Sequence, residues 1–156
     1  MFARSPASIL LVVAFSLLGT AAGSGLPEHA RELKALEAAV ESYLSAVRSG
    51  DLAHFNSSFH PAARTGTVQA GRYAELPPGS GLDCLAGGAR RPETRILALD
   101  LAGPCATAKA EWDCGSFKIV DYLSLLRIDG HWRIVGRIYY RTGEIRAAGE
   151  GSGRGH

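Results

Sequence analysis

Phe117 to Tyr140 reads FKIVDYLSLLRIDGHWRIVGRIYY, two long strands joined at Asp129-Gly130. Branched and aromatic residues fill both runs. Asp-Gly between such runs marks a two-residue hairpin turn, whose central positions need positive φ. Such a turn sets Ile128 opposite His131, and every later pair follows from it. Trp132, Ile134, Gly136, Ile138 and Tyr140 then share a face with Phe117, Ile119, Asp121, Leu123 and Leu125. That face is apolar, and Asp121 interrupts it.

Strands continue upstream. Thr94 to Leu101 alternates, with Leu97, Leu99 and Leu101 on one side; Gly103-Pro104 turns the chain, Cys105 to Asp113 returns, and Cys114 to Ser116 turns it again. Carrying the count through that turn puts Ala106, Ala108, Ala110 and Trp112 on the Asp121 face, with Ala108 beside the carboxylate. Thr65 to Tyr73 is expected to form a short strand pair. Leu76 to Gly81, with Pro77-Pro78 and two glycines, reads as loop, and Leu82 to Ala86 as one helical turn.

The N-terminal part has a different period. Leu33, Leu36, Val40, Tyr43, Leu44 and Val47 recur at spacings of three and four, which predicts an amphipathic helix. Gly50 stops it and Asp51 caps a short second helix carrying Leu52, Phe55 and Phe59, which His60-Pro61 ends. Helices followed by an antiparallel sheet give an α+β domain, with the helical stripes covering the apolar sheet face.

A buried carboxylate needs a donor, because leaving it unpaired costs several kcal/mol or changes its protonation. Tyr43, His60 and Trp112 are the candidate donors, and Ala108, Leu123 and Ile138 would complete an apolar pocket with a few directed polar groups. Alternatively, Asp121 sits near the rim, bonds a loop amide and only helps to specify the fold.

Bulk properties narrow the classes. Arg4, the apolar run Ile9 to Leu18 and the small residues that follow predict a signal peptide over 1–23, too short to span a bilayer as a stable anchor. A linker is expected over 24–31, the domain over 32–141 and a disordered Gly- and Arg-rich tail over 142–156. The product is expected to be secreted or periplasmic. Removing Arg4 takes the formal charge from +2 to +1, which gives no footprint for nucleic acid. No His or Cys spacing resembles a metal site, and no cofactor is expected.

Three cysteines in an oxidising compartment suggest one disulfide. Cys105 and Cys114 bracket one strand, too long to bridge, so a disulfide would include Cys84; Cys84 with Cys114 is favoured, and three unpaired thiols are the alternative. The outward sheet face, with Val120, Tyr122, Leu126, Ile128, Val135 and Tyr139 among Lys118, Arg133 and Arg137, is apolar enough to predict a homodimer through it.

The run AVESYLSAVRSGDLAHFNSSFHPAA (Ala39 to Ala63) followed by VDYLSLLRIDGHWRIVGRIYY (Val120 to Tyr140) resembles the nuclear transport factor 2-like superfamily. The likeness is strongest to its "putative lumazine-binding" branch, next to the SnoaL-like proteins, and covers roughly Glu32 to Tyr140. It implies a cone: a curved antiparallel sheet wrapped around N-terminal helices, with a cavity in its mouth. In the related ketosteroid isomerases an Asp base works with an oxyanion hole made by a Tyr and a protonated Asp. Tyr43 falls on the oxyanion Tyr, but the base position falls on Thr67 and the second acid on Ser124, so that mechanism does not carry over. Where relatives have a regular third helix, this chain has Pro77-Pro78-Gly79-Ser80-Gly81.

Three functions stay open on this basis. The first is a non-catalytic domain binding a small, largely apolar ligand oriented by Asp121 and Tyr43. The second is an isomerase or dehydratase-like enzyme with Asp121 as base, Tyr43 donating to an oxyanion and His60 carrying protons. The third is a homodimeric interaction module with a vestigial pocket.

Overall fold

The computed structural model describes residues 25–80, 84 and 91–142. The expected signal peptide lies outside these residues, as do the expected tail beyond Thr142 and the turn at 82–86 apart from Cys84. Two helices, α1 (Gly25–Ser49) and α2 (Leu52–Ser57), precede six strands: β1 (Phe59–Gln69), β2 (Arg72–Leu76), β3 (Glu93–Ala102), β4 (Cys105–Asp113), β5 (Lys118–Ile128) and β6 (His131–Thr142). They form one sheet of order β2-β1-β6-β5-β4-β3. β1 and β6 run parallel, and the other neighbours are antiparallel.

The helix junction follows its residue types closely. Gly50 has φ +72°, and its N–H reaches the Val47 carbonyl while the Asp51 N–H reaches that of Ala46, which together satisfy two of the last carbonyls of α1. Asp51 then caps α2 by accepting from the His54 N–H at 2.9 Å. Residues 25–31, expected as linker, already belong to α1, where Glu28 complements the positive end of the helix dipole. The second helix is shorter than its sequence suggested: Phe59 and His60 begin β1.

The hairpin turn is the one the sequence implies, with Asp129 at φ +49° and Gly130 at φ +79°. Ile128 pairs with His131 and Leu125 with Ile134, but Ser124 then pairs with Gly136, so Val135 is an extra residue on β6. Because strand side chains alternate, one extra residue exchanges the two faces for everything beyond it. Arg137 and Tyr139 therefore turn inward. Ile138 and Tyr140, expected in the pocket face, stand outside with 60% and 63% of their surface exposed.

β3 slips in the same way at Leu97, which Ile96 and Ala98 flank against consecutive residues of β4. Leu97 is consequently exposed, while Leu99 and Leu101 pack on the core as expected. Bulges bend the strands that carry them, and bends on β3 and β6 curl the sheet around α1. The concave face buries Leu36, Val40, Tyr43, Leu44 and Val47 of α1 against Ile119, Leu123, Leu125 and Ile134 of the sheet. Leu33, at the start of the helical stripe, stays partly exposed. β4 contributes alanine methyls at 106, 108 and 110, so much of the bulk in this layer is aromatic. Tyr43, Phe55, Phe59 and Trp112 form that cluster, with ring centroids 5.1–6.1 Å apart.

Candidate functional site

Asp121 lies mid-strand on β5, fully buried, and both of its oxygens are engaged. The Tyr43 hydroxyl donates to Oδ2 at 2.7 Å, and Nε of Arg137 donates to Oδ1 at 2.8 Å. α1 supplies the tyrosine and the Val135 bulge supplies the arginine. Arg137 Nη1 continues to the Ser80 carbonyl at 2.7 Å, tying the Pro77-Pro78-Gly79-Ser80 loop to the interior. Its guanidinium also lies near the rings of Tyr139 (4.4 Å), Trp112 (5.0 Å) and Phe55 (5.9 Å).

Electrostatically the Asp121 and Arg137 charges balance, and neither side chain is exposed to solvent. Burial pushes the Asp121 carboxyl above the usual carboxylate range, against the pull of Arg137 and Tyr43. Burial, with the Asp121 charge adding to it, holds the Tyr43 phenol well above its ordinary value although Arg137 opposes the shift. For Arg137, burial works against the charge, and attraction to Tyr43 and Asp121 outweighs it. Trp112 Nε1 favours the ionised Asp121 without reaching hydrogen-bond geometry.

Two further polar atoms here are buried and without a hydrogen-bond partner: Arg137 Nη2 and Thr65 Oγ1. Thr65 on β1 pairs with Arg137 on β6, and both residues are buried, so the two groups belong to one patch of the inner sheet face. Buried donors are normally satisfied, and an orphan of this kind costs roughly 1–3 kcal/mol.

The expected site residues are only partly brought together. Tyr43, Trp112 and Leu123 share the interior with Asp121. Ala108 is buried on the same face but opposite Leu123; Ala110 holds the place next to Asp121. His60 is elsewhere: its Nδ1 accepts the Ala62 N–H at 3.1 Å on β1, and Arg137 takes the donor role proposed for it. Ile138 faces outward for the register reason given above. Where the alanines suggested an open space, the Arg137 side chain sits against the aromatic rings. Sequence reasoning missed Arg137, Thr65 and Ser80. A glycine inside a strand often marks a bulge, so Gly136 was the available signal.

Cys84 is bonded to Cys114, with Cα atoms 5.5 Å apart, and Cys105 is free and exposed at the start of β4. Among the described residues no group of His, Cys, Asp or Glu suits a metal ion. No helix among them is long and apolar enough to cross a membrane.

A helical layer inside a curved, unclosed sheet with a buried polar centre is the nuclear transport factor 2-like cone. Within that class, residues 31–140 match the family model described as "Putative lumazine-binding", and the chain belongs to that family. Among solved structures it is similar to a nuclear transport factor 2-like protein of unknown function from Shewanella baltica OS155 (20% identity, 74% of this chain and 98% of that one, TM-score 0.64). A second such protein, from Methylobacillus flagellatus KT, shares 25% identity over 72% of this chain and 94% of its own (TM-score 0.63). A ketosteroid isomerase-like protein from Erwinia carotovora atroseptica SCRI1043 matches at 14% identity over 72% and 98% (TM-score 0.54), a likeness of fold alone. No curated protein sequence matches the chain significantly.

Proposed function

We propose that this chain is an exported, non-catalytic domain that binds a small, largely apolar molecule in the cone interior. The observation that carries this reading is the division of labour among the buried polar groups. Both Asp121 oxygens are engaged, by Tyr43 and Arg137, and the carboxylate is fully buried in an ion pair, which weighs against a general base poised toward a substrate. Arg137 Nη2 and Thr65 Oγ1 retain unspent donor capacity beside them. Asp121 already balances the arginine charge, so an additional buried anion would be uncompensated. A neutral acceptor, such as a ring carbonyl, suits the pair better. The family description names lumazine, a compound with ring carbonyls, and lumazine is therefore the first ligand to try. The Cys84–Cys114 bond supports export to an oxidising compartment.

Native mass spectrometry of protein purified from its own host tests this directly. A retained small molecule that is lost in Thr65→Val supports the reading. The valine keeps the shape of the side chain and deletes only the donor, so the empty protein should be no less stable. Protein that is always empty, or turnover that disappears in Asp121→Asn, sinks it.

A specific observation also favours self-association. Val68, Tyr73, Tyr122, Ile138 and Tyr140 are each 49–69% exposed on the convex face. They line an apolar groove of ≈ 270 Å³ with Gly66 at its base. A second copy related by a two-fold axis would lay these side chains on their own equivalents. The surface differs from the one the unbulged register implied, since Arg137 is buried and Ile138 and Tyr140 stand outward in its place.

A further inference from the structure

A different cavity lies at the other end of the β5–β6 hairpin, where the Asp129-Gly130 tip approaches α1 and α2. It has a volume of ≈ 410 Å³, within the range of about 300–1,000 Å³ usual for small-molecule sites. Its apolar lining comes from Ala35, Ala38 and Ala39 of α1, together with Leu125 and Ile134. Alanines at spacings of three and four on one helix face leave the gap to the strand ends without a large side chain filling it.

The polar lining combines hydroxyls and imidazoles, which can donate or accept, with two side chains that only donate, Trp132 and Arg133. Trp132 is 8% exposed, and its Nε1 is buried without a hydrogen-bond partner. An indole nitrogen can only donate, so satisfying it requires an acceptor. Arg133 follows it on the strand and lines the same groove; its Nη1 is anchored to the Ser57 carbonyl at 2.6 Å, and that bond uses one of the five N–H groups of a guanidinium. Ser42 Oγ and His54 Nε2 are hydrogen-bonded at 2.8 Å, which fixes the His54 ring in the lining, and His131 adds a second imidazole. Among the described residues, no Asp or Glu lines the groove.

We propose that this groove is a second ligand site that binds a small organic carboxylate. The carboxylate accepts from Trp132 Nε1 and the Arg133 guanidinium, and the hydrocarbon body lies on the alanine face of α1. Recognition, and not turnover, is what the set supports: Ser42 has the spacing of a nucleophile with its base, but it stands exposed on α1, without the water exclusion that acyl transfer uses. The groove is lined by residues other than Tyr43, Thr65, Asp121 and Arg137, so its test does not depend on the reading given above.

The chain's two tryptophans make the test direct. In ¹⁵N-labelled protein, the Trp132 indole N–H resonance, assigned by its loss in Trp132→Phe, should move downfield and saturate as octanoate is added. The Trp112 resonance, from a fully buried ring, should hold still. Octan-1-ol has the same body without the charge and should bind at least about tenfold more weakly, as should octanoate to Arg133→Gln, since one charge-assisted bond is worth about that factor. Three results would overturn the proposal: no saturable shift at millimolar octanoate, equal binding of the alcohol, or unchanged affinity in Arg133→Gln that melts like the parent.

Discussion

Asp121 and Arg137 form an ion pair of 2.8 Å in which neither side chain meets solvent, and the two face each other only because β6 carries one extra residue at Val135. Charges this deep are held by each other and by Tyr43, so the pair behaves as a unit. The cone is organised around it.

Breaking the pair from one side should therefore be expensive. Arg137→Met leaves Asp121 buried with only Tyr43, and a loss of about 3–5 kcal/mol is expected. The double variant Asp121→Leu/Arg137→Met removes both charges and should recover a large part of that loss. Urea denaturation of the parent, each single variant and the double variant measures the coupling; strict additivity would show that the pair contributes no mutual stabilisation.

Tyr43 gives the fold a dependence on alkaline pH. Its phenol is held well above the ordinary value, so between about pH 10 and that raised value the unfolded chain releases a proton that the folded chain keeps. The sign is fixed by this: the contribution is intact below pH 10 and declines as pH rises through that window. Tyr43→Phe should lose about 1–3 kcal/mol at neutral pH, because Oδ2 of Asp121 loses its donor. It should also flatten the alkaline decline, read from denaturation midpoints between neutral pH and pH 11.

The Cys84–Cys114 bond closes a loop with a sequence separation of 30, for which chain entropy predicts a stabilisation of about 3–4 kcal/mol. Cys84→Ser should lower the melting temperature accordingly, and reductant should shift the parent but not the variant. Cys105→Ser, at an exposed position outside the bond, should leave the parent's response to reductant unchanged.

On the convex face, Gly66 and Ile138 separate association from folding. A Cβ at Gly66 would stand 2.8 Å from the Tyr73 ring, but that ring is exposed and can swing aside. Gly66→Ala should thus cost little stability while reshaping the groove, and Ile138→Lys should place a charge in its centre. Sedimentation at tens of micromolar is expected to show a dimer for the parent and monomers for Ile138→Lys. A parent that stays monomeric would remove the case for a second copy.

Much of this architecture was legible in the residues alone. The period of three and four in α1, the Gly50-Asp51 junction and the Asp129-Gly130 turn are local signals, each carried by a few neighbouring residues whose backbone preferences do not depend on the rest of the chain. They were sufficient to place Tyr43, Trp112, Asp121 and Leu123 in one interior, and to pair β5 with β6 correctly as far as Ile134. The tertiary structure decided what happened past Val135. Strand alternation has a period of two, so a single bulge reverses every later assignment, and a sheet bulges where it must bend around its helix. For that reason Ile138 left the interior, Arg137 entered it, and the carboxylate found its cation sixteen residues along the chain instead of at His60.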